Sequence, residues 1–305
     1  MNIKEFTIIS NYDGLPLKGV VYEPNGTPKG IVHLVHGMVE YKGRYKHVLQ
    51  FFAENGYVTA CHDHRGHGES VEKEEDFGWF HDFKAKAIVD DCVQVTEYLQ
   101  KEYPNLKTTL FGHSMGSMVV RCYIQERDDL LDGLIVCGSP SNNPLSGTAI
   151  ALTKIVRFFR GERHRSPLFA YLATGKGNED FAKAGKGSWL TRDDEFVKAY
   201  NDDPKCKFRF TVNGFENLFR LMKNTYTKKR YKVKNPNLPI LFIAGSDDAV
   251  IGSKEQWEKS VDFLRKVGYK DVKGKLYEGM RHEVHNEIGK EEVLSDLLEF
   301  IERET

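Results

Sequence analysis

Three short segments of this chain carry side chains that could share one reaction. The first is Gly112-His113-Ser114-Met115-Gly116, which directly follows the run Thr108-Thr109-Leu110-Phe111. A strand that turns sharply into a helix leaves its corner residue strained and exposed, and the two flanking glycines leave room for neighbouring backbone. A serine at that corner is a candidate nucleophile, but its hydroxyl is weak at neutral pH. It needs a base to remove its proton and a third group to hold that base. Downstream, Gly245-Ser246-Asp247-Asp248-Ala249-Val250 follows an apolar run at 239–244, so a carboxylate leaves the carboxyl end of a strand there. Farther on, Glu278-Gly279-Met280-Arg281-His282 follows a short strand pattern at 273–277 and could bring an imidazole to the same edge. The chemistry would be acyl transfer, with Ser114 as nucleophile, His282 as base and Asp248 as the acid that orients it.

Each choice has a competitor. Asp247 adjoins Asp248, and the two differ in which faces the imidazole. His285 lies three residues after His282, one helical turn away, and is expected to face solvent or cap a helix. A tetrahedral intermediate also needs donors aimed at its oxyanion, each worth about 3 kcal/mol. The backbone N–H of Met115 is one; the turn His36-Gly37-Met38, after the apolar run 31–35, points to the N–H of Met38 as the other, with His36 structural. The three imidazoles of His62-Asp63-His64-Arg65-Gly66-His67-Gly68 invite a zinc reading, yet their spacing matches no strong metal pattern, and loop hydrogen bonding is expected instead. This chemistry calls for no cofactor and no metal.

The elements that must position these groups are legible as patterns. Alternating segments at 5–9 and 17–22 flank Asn11-Tyr12-Asp13-Gly14, which predicts an antiparallel hairpin. Continuous apolar runs at 31–35, 57–61, 109–111, 134–137 and 239–244 predict strands buried on both faces. Helical stripes fall between them, at 45–55, 86–103 and 115–125. The βαβα order implies an α/β fold with a mostly parallel, doubly wound sheet.

That regularity breaks between 142 and 235, where helical stripes replace strand-length runs. We expect an inserted helical cap there, with 1–141 and 236–305 forming the α/β core. In 151–160, Leu152, Ile155, Val156 and Phe159 are expected on one face against Lys154, Arg157 and Arg160, suiting a lid over a pocket or a helix lying on a membrane surface. Gly175-Lys176-Gly177 and Gly185-Lys186-Gly187 lack the spacing of a phosphate-binding loop and are read as plain loops. Lys and Arg total 44, as do Asp and Glu, but residues 141–235 hold 20 basic against 9 acidic side chains. A basic middle segment is either a solvated face or an attraction to anionic lipid headgroups or phosphate-bearing substrates.

At 305 residues and 40% hydrophobic composition, the chain can bury one large domain with an insertion. No run approaches the roughly 18 to 20 apolar residues needed to span a bilayer, and the first six residues suit a strand better than a signal peptide. The cysteines 61, 92, 122, 137 and 206 lack metal-like spacing and mostly sit in apolar runs, so reduced thiols in a cytoplasmic protein, with possible peripheral membrane contact, are expected. No nucleic-acid partner is expected.

Taken together in order, His36-Gly37-Met38, His62 to Ser70, Gly112 to Gly116, Gly245 to Asp248 and Gly279 to His282 resemble the motifs of the α/β-hydrolase superfamily. More narrowly, the chain resembles the monoacylglycerol lipase and lysophospholipase group, also classed with the serine aminopeptidases. The run His36-Gly37-Met38-Val39-Glu40-Tyr41-Lys42-Gly43-Arg44-Tyr45 is similar to that group's oxyanion-loop signature, including its acid and Arg-Tyr pair. The resemblance covers nearly the whole chain and weakens in the expected cap. It implies hydrolysis of carboxylic esters of the monoacylglycerol or lysophospholipid type, and transmits little about acyl length or headgroup. The alternatives are a peptidase or amidase using the same triad and a binding protein that keeps the fold without turnover.

Overall fold

The computed structural model describes residues 1–304. One sheet holds strands β1 (Asn2–Ile9), β2 (Pro16–Glu23), β3 (Gly30–Val35), β4 (Tyr57–His62), β5 (Thr108–His113), β6 (Gly133–Cys137), β7 (Ile240–Gly245) and β8 (Val272–Tyr277). Their order across the sheet is β1-β2-β4-β3-β5-β6-β7-β8. The first hairpin is antiparallel, β2 joins β4 antiparallel, and every later pairing is parallel. Strands β3 to β7 are buried at every position, which is why they read as continuous apolar runs and not as alternating ones.

Alternate residues of these strands feed two packed layers. On one face Leu34, Phe111 and Ile243 meet α1 (Lys46–Glu54) and the helix that closes the chain, through Leu49, Phe52, Val293 and Leu297. On the other, Leu110, Leu134 and Phe242 share a core with Cys92 of α2 (Ala87–Glu102), Val119 of α3 (Met115–Arg127) and Leu264. This is the α/β-hydrolase architecture.

Between β6 and β7 run α4 (Ser146–Arg160), α5 (Pro167–Asp180), α6 (Asp194–Asp202) and α7 (Val212–Thr225); α8 (Lys254–Val267) and α9 (Lys290–Glu304) complete the order. Phe215, Leu218 and Phe219 of α7 enter the same core as Met118 and Val119, so this segment is anchored on α3. Two details depart from the sequence reading. The Gly175-Lys176-Gly177 stretch lies inside α5, not in a loop; an isolated glycine lowers helix propensity by only about 1 kcal/mol, which flanking helical residues can override. Helix α4 buries only part of its expected apolar face: Leu152 and Val156 pack on the core, while Ile155 and Phe159 do not. Ile150 and Thr153 are buried and Arg157 reaches the fully buried Glu216, whereas Ile155, Phe158 and Phe159 are exposed, the last two at 83% and 75%. Pairing a buried carboxylate outweighs burying one more apolar stripe, because an unpaired buried charge is the costlier defect.

Candidate active site

The parallel register aligns the carboxyl ends of the central strands, with Val35 opposite Gly112, His113 opposite Cys137 and Gly245 opposite Tyr277. Chemistry-bearing loops therefore emerge along one edge. Ser114 sits at the corner between β5 and α3 with φ 53° and ψ −117°, a conformation costly for any residue with a Cβ. The two glycines flanking it are required for packing. A Cβ on Gly112 would come 2.6 Å from the Gly116 carbonyl oxygen, and one on Gly116 would collide with the carbonyl oxygens of Val35 and His36.

Ser114, His282 and Asp248 stand in one hydrogen-bonded line. His282 Nε2 is 2.8 Å from Ser114 Oγ, and His282 Nδ1 is 3.0 and 2.9 Å from the two Asp248 oxygens. With Nδ1–H donating to the carboxylate, Nε2 faces the Ser114 hydroxyl as an acceptor. Asp248 is buried and is fixed further by the Val250 N–H at 2.8 Å, while Asp247 is exposed. Burial alone would push the imidazole of His282 down; the carboxylate of Asp248, helped by Glu283 and Glu40, lifts it above its ordinary value. Gly138, at φ 56°, leaves room for the ring, since a Cβ there would lie 3.1 Å from His282 Cε1. The β6–β7 segment contributes too: Trp189 packs on the imidazole at 5.1 Å between ring centroids, and the Leu190 carbonyl accepts the Glu283 N–H at 2.7 Å.

Met38 and Met115 line the same cavity as Ser114. The loop carrying Met38 is held by the histidines of the His62–His67 region. His67 donates Nδ1–H to the Arg65 carbonyl and accepts the Val39 N–H at Nε2, 3.3 Å away. His36 accepts the His64 N–H, and His64 Nε2 donates back to the His36 carbonyl at 3.1 Å. Val39 is at φ 57°, rare for a β-branched residue, so this buttressing holds a strained turn beside Ser114.

A carboxylate network beneath the loop escaped the sequence reading. Glu40 Oε1 accepts from the Gly37 N–H at 2.5 Å and from Tyr45 Oη at 2.7 Å, while Arg44 bridges Glu40 Oε2 and both oxygens of Glu283 at 2.7 Å each. Burial would raise both acids, but Arg44 holds the Glu283 carboxyl at about 2, and hydrogen bonding from His113 with the Arg44 charge holds Glu40 far below the carboxylate range. The acid and the Arg-Tyr pair in the 36–45 run were the available signal; adjacency of Glu283 to His282 was the other.

His285 is neither exposed nor a cap. It is fully buried and stacked on Tyr45 at 5.1 Å, because the short helical turn at Val284–Asn286 points it inward. His113, Cys137 and His285 each bring one ligand-capable atom within 4.8 Å of the others, a grouping no sequence spacing announces. Burial drives the His285 imidazole well below and the Cys137 thiol well above their ordinary values, so both are neutral at physiological pH.

Ser114 opens onto a cavity of about 1120 Å³ whose walls include Met118, Leu152, Phe208, Phe215, Leu218 and Met222. The sequence matches the serine aminopeptidase S33 family over residues 26–289. The chain belongs to that family. It is a monoacylglycerol-lipase-like α/β-hydrolase and a serine ester hydrolase. It is 28% identical to a monoacylglycerol lipase of Mycolicibacterium smegmatis, over 92% of this chain and 91% of that one. It is 27% identical to the human monoglyceride lipase, over 91% and 83%. A thermostable carboxyl esterase from Bacillus coagulans, crystallised with glycerol, superposes with a TM-score of 0.88 at 28% identity, over 100% of this chain and 99% of that one.

Proposed function

We propose that this hydrolase cleaves monoacylglycerol or lysophospholipid-type esters through an acyl-enzyme intermediate. The observation that carries this is the 2.8 Å contact between Ser114 Oγ and His282 Nε2, in line with Asp248. Ser114 Oγ attacks the ester carbonyl as its proton passes to His282 Nε2, and the carbonyl oxygen, now negative, takes hydrogen bonds from the Met38 and Met115 N–H groups. Collapse expels the alcohol, which leaves with that proton. Water then attacks the acyl-enzyme with His282 again as base, releasing the carboxylic acid and restoring Ser114. Asp248 keeps the ring in the working tautomer and stabilises the imidazolium.

The apolar cavity suits an acyl chain, and α4–α7 serve as the cap that supplies much of its wall. A peptidase needs a free acid to meet a substrate amine; the cavity's carboxylates, Glu40 and Glu283, are instead tied to Arg44. The exposed Ile155, Phe158 and Phe159 beside Lys154 and Arg160 suit peripheral contact with an anionic membrane. Five buried free cysteines fit a reducing, cytoplasmic setting.

The test is hydrolysis of p-nitrophenyl esters from two to sixteen carbons beside monoacylglycerol, lysophosphatidylcholine and aminoacyl-anilide substrates, with Ser114→Ala as control. Long-chain ester turnover lost by about 10⁶ in the variant is expected. Turnover of the anilide alone would favour a peptidase, and silence throughout a binding protein.

A further inference from the structure

The mouth of the cavity carries charge that the acyl-ester reading leaves unexplained. Lys186, Lys207 and Arg209 line it, all exposed, and among the described residues none has a carboxylate within ion-pair distance. The acids and the cation of the same stretch are already engaged elsewhere. Asp202 pairs with Lys198, Asp203 accepts from Tyr41 Oη, and Lys205 is drawn to Glu69. Lys207 and Arg209 alternate in sequence with Phe208 and Phe210, and in exposure as well, both cations being exposed while Phe210 is buried and Phe208 half-buried. The phenyl rings pack on Phe77, His67 and Phe80, and the two cations are left exposed beside the cavity.

A fourth cation reinforces the imbalance. Arg165 donates to the Arg209 and Glu75 carbonyls, not to a carboxylate. Partial burial, followed by the neighbouring Arg163 and Arg209 charges, pulls its guanidinium below the ordinary arginine value. Of these, Arg163 is paired with Asp76, but Lys186, Lys207 and Arg209 at the cavity have no acid within ion-pair distance among the described residues, and an anion seated there would gain their attraction. The deep end of the cavity is apolar, so the molecule that fits both ends is an amphiphile with an acyl chain and an anionic head.

We infer that Lys186, Lys207 and Arg209 form a headgroup subsite for a phosphate-bearing acyl ester, so that the enzyme prefers an anionic lysolipid to the neutral glyceride of the same chain. This rests on the ester-hydrolase reading above and narrows its substrate class. Arginine and lysine bind phosphate through charge-assisted hydrogen bonds, and a rim site that is partly solvated keeps product release open.

The experiment compares octanoyl lysophosphatidylglycerol with octanoylglycerol, both below their critical micelle concentrations so that attraction to a charged surface plays no part. The expected kcat/KM ratio is about tenfold or more in favour of the anionic lipid, falling toward one in Lys207→Gln/Arg209→Gln and shrinking with added salt. A ratio of one or below in the wild type, or a ratio that the double variant retains, overturns the subsite. Inorganic phosphate and glycerol 3-phosphate serve as competitors. Weak competition by both is expected; competition by free phosphate as tight as the lysolipid itself would overturn the headgroup assignment in favour of a free-anion site. p-Nitrophenyl octanoate runs alongside: its hydrolysis with no anionic preference sinks this inference alone, and its failure sinks the ester-hydrolase reading with it.

Discussion

Arg44 and Glu283 form a two-pronged ion pair, with Nη1 to Oε1 and Nη2 to Oε2 both at 2.7 Å, immediately after His282 in the chain. Because Arg44 also holds Glu40, one guanidinium serves two buried acids, one beside His282 and one in the loop that carries Met38. Glu283 is among the charges that raise the His282 imidazole, after burial and Asp248. If His282 is the base proposed above, it must be neutral to accept the Ser114 proton, and kcat/KM is expected to fall as pH drops through its raised value. In Glu283→Gln that acid limb is expected to move to lower pH. A limb that stays in place in the pH profile of the variant would mean that the Glu283 charge does not reach the imidazole.

Removing the other partner has a different cost. Arg44→Met leaves Glu40 and Glu283 buried without their cation, a defect of the kind that costs roughly 3–5 kcal/mol. Urea denaturation at neutral pH should show a loss of that order. A loss under about 1 kcal/mol would indicate that the backbone and tyrosine donors alone satisfy the two acids.

Ser114 occupies its positive-φ corner at the expense of stability. Strain of this type is worth about 1–3 kcal/mol, part of which glycine returns by adding freedom to the unfolded chain. Ser114→Gly is therefore expected to be inactive yet about 1 kcal/mol more stable than wild type by urea titration. A less stable variant would show that the hydrogen bond to His282 outweighs the strain.

Residue order carried much of this. Strands β3 to β7 were legible because burial on both faces demands unbroken apolar runs, and Gly112, Ser114 and Gly116 were legible because a tight corner tolerates few residue types. Asp248 could not be told from Asp247 by composition; only the fold decides which carboxylate is buried against His282. His285 and Glu283 were invisible for the same reason, since their partners Tyr45 and Arg44 lie some 240 positions away in the chain. In helix α4 the inward Leu152 and Val156 were legible but the exposure of Ile155 and Phe159 was not, because the buried Glu216 that draws Arg157 inward belongs to another helix.

The exposed pair Phe158 and Phe159, with rings 5.1 Å apart, offers a direct test of membrane contact. Full burial of one such side chain is worth roughly 1.5–3 kcal/mol, and interfacial burial recovers part of that. Phe158→Ser/Phe159→Ser should weaken partition onto vesicles containing phosphatidylglycerol by about tenfold in a sedimentation assay. Equal partition of wild type and variant would place the contact elsewhere.

The buried histidines set the acid limit of the fold. His33 is bonded to Thr96 and His62, and His67 holds the Val39 N–H; burial pushes His33 down to about 3 and His67 down to about 4. Their unfolded value is near 6.5, so the unfolded chain takes up protons first as pH falls. Stability is therefore full above about 6.5 and declines below it, at about 1.4 kcal/mol per pH unit for each such histidine, until the folded values are reached. Urea titrations at pH 6 and pH 5 should differ by at least 2 kcal/mol, before most carboxylates titrate. Equal stability at the two pH values would mean that these rings accept protons in place. Folded His67 itself takes up a proton only near pH 4, so the Val39 N–H keeps its acceptor throughout the pH 5 to 6 interval of this test.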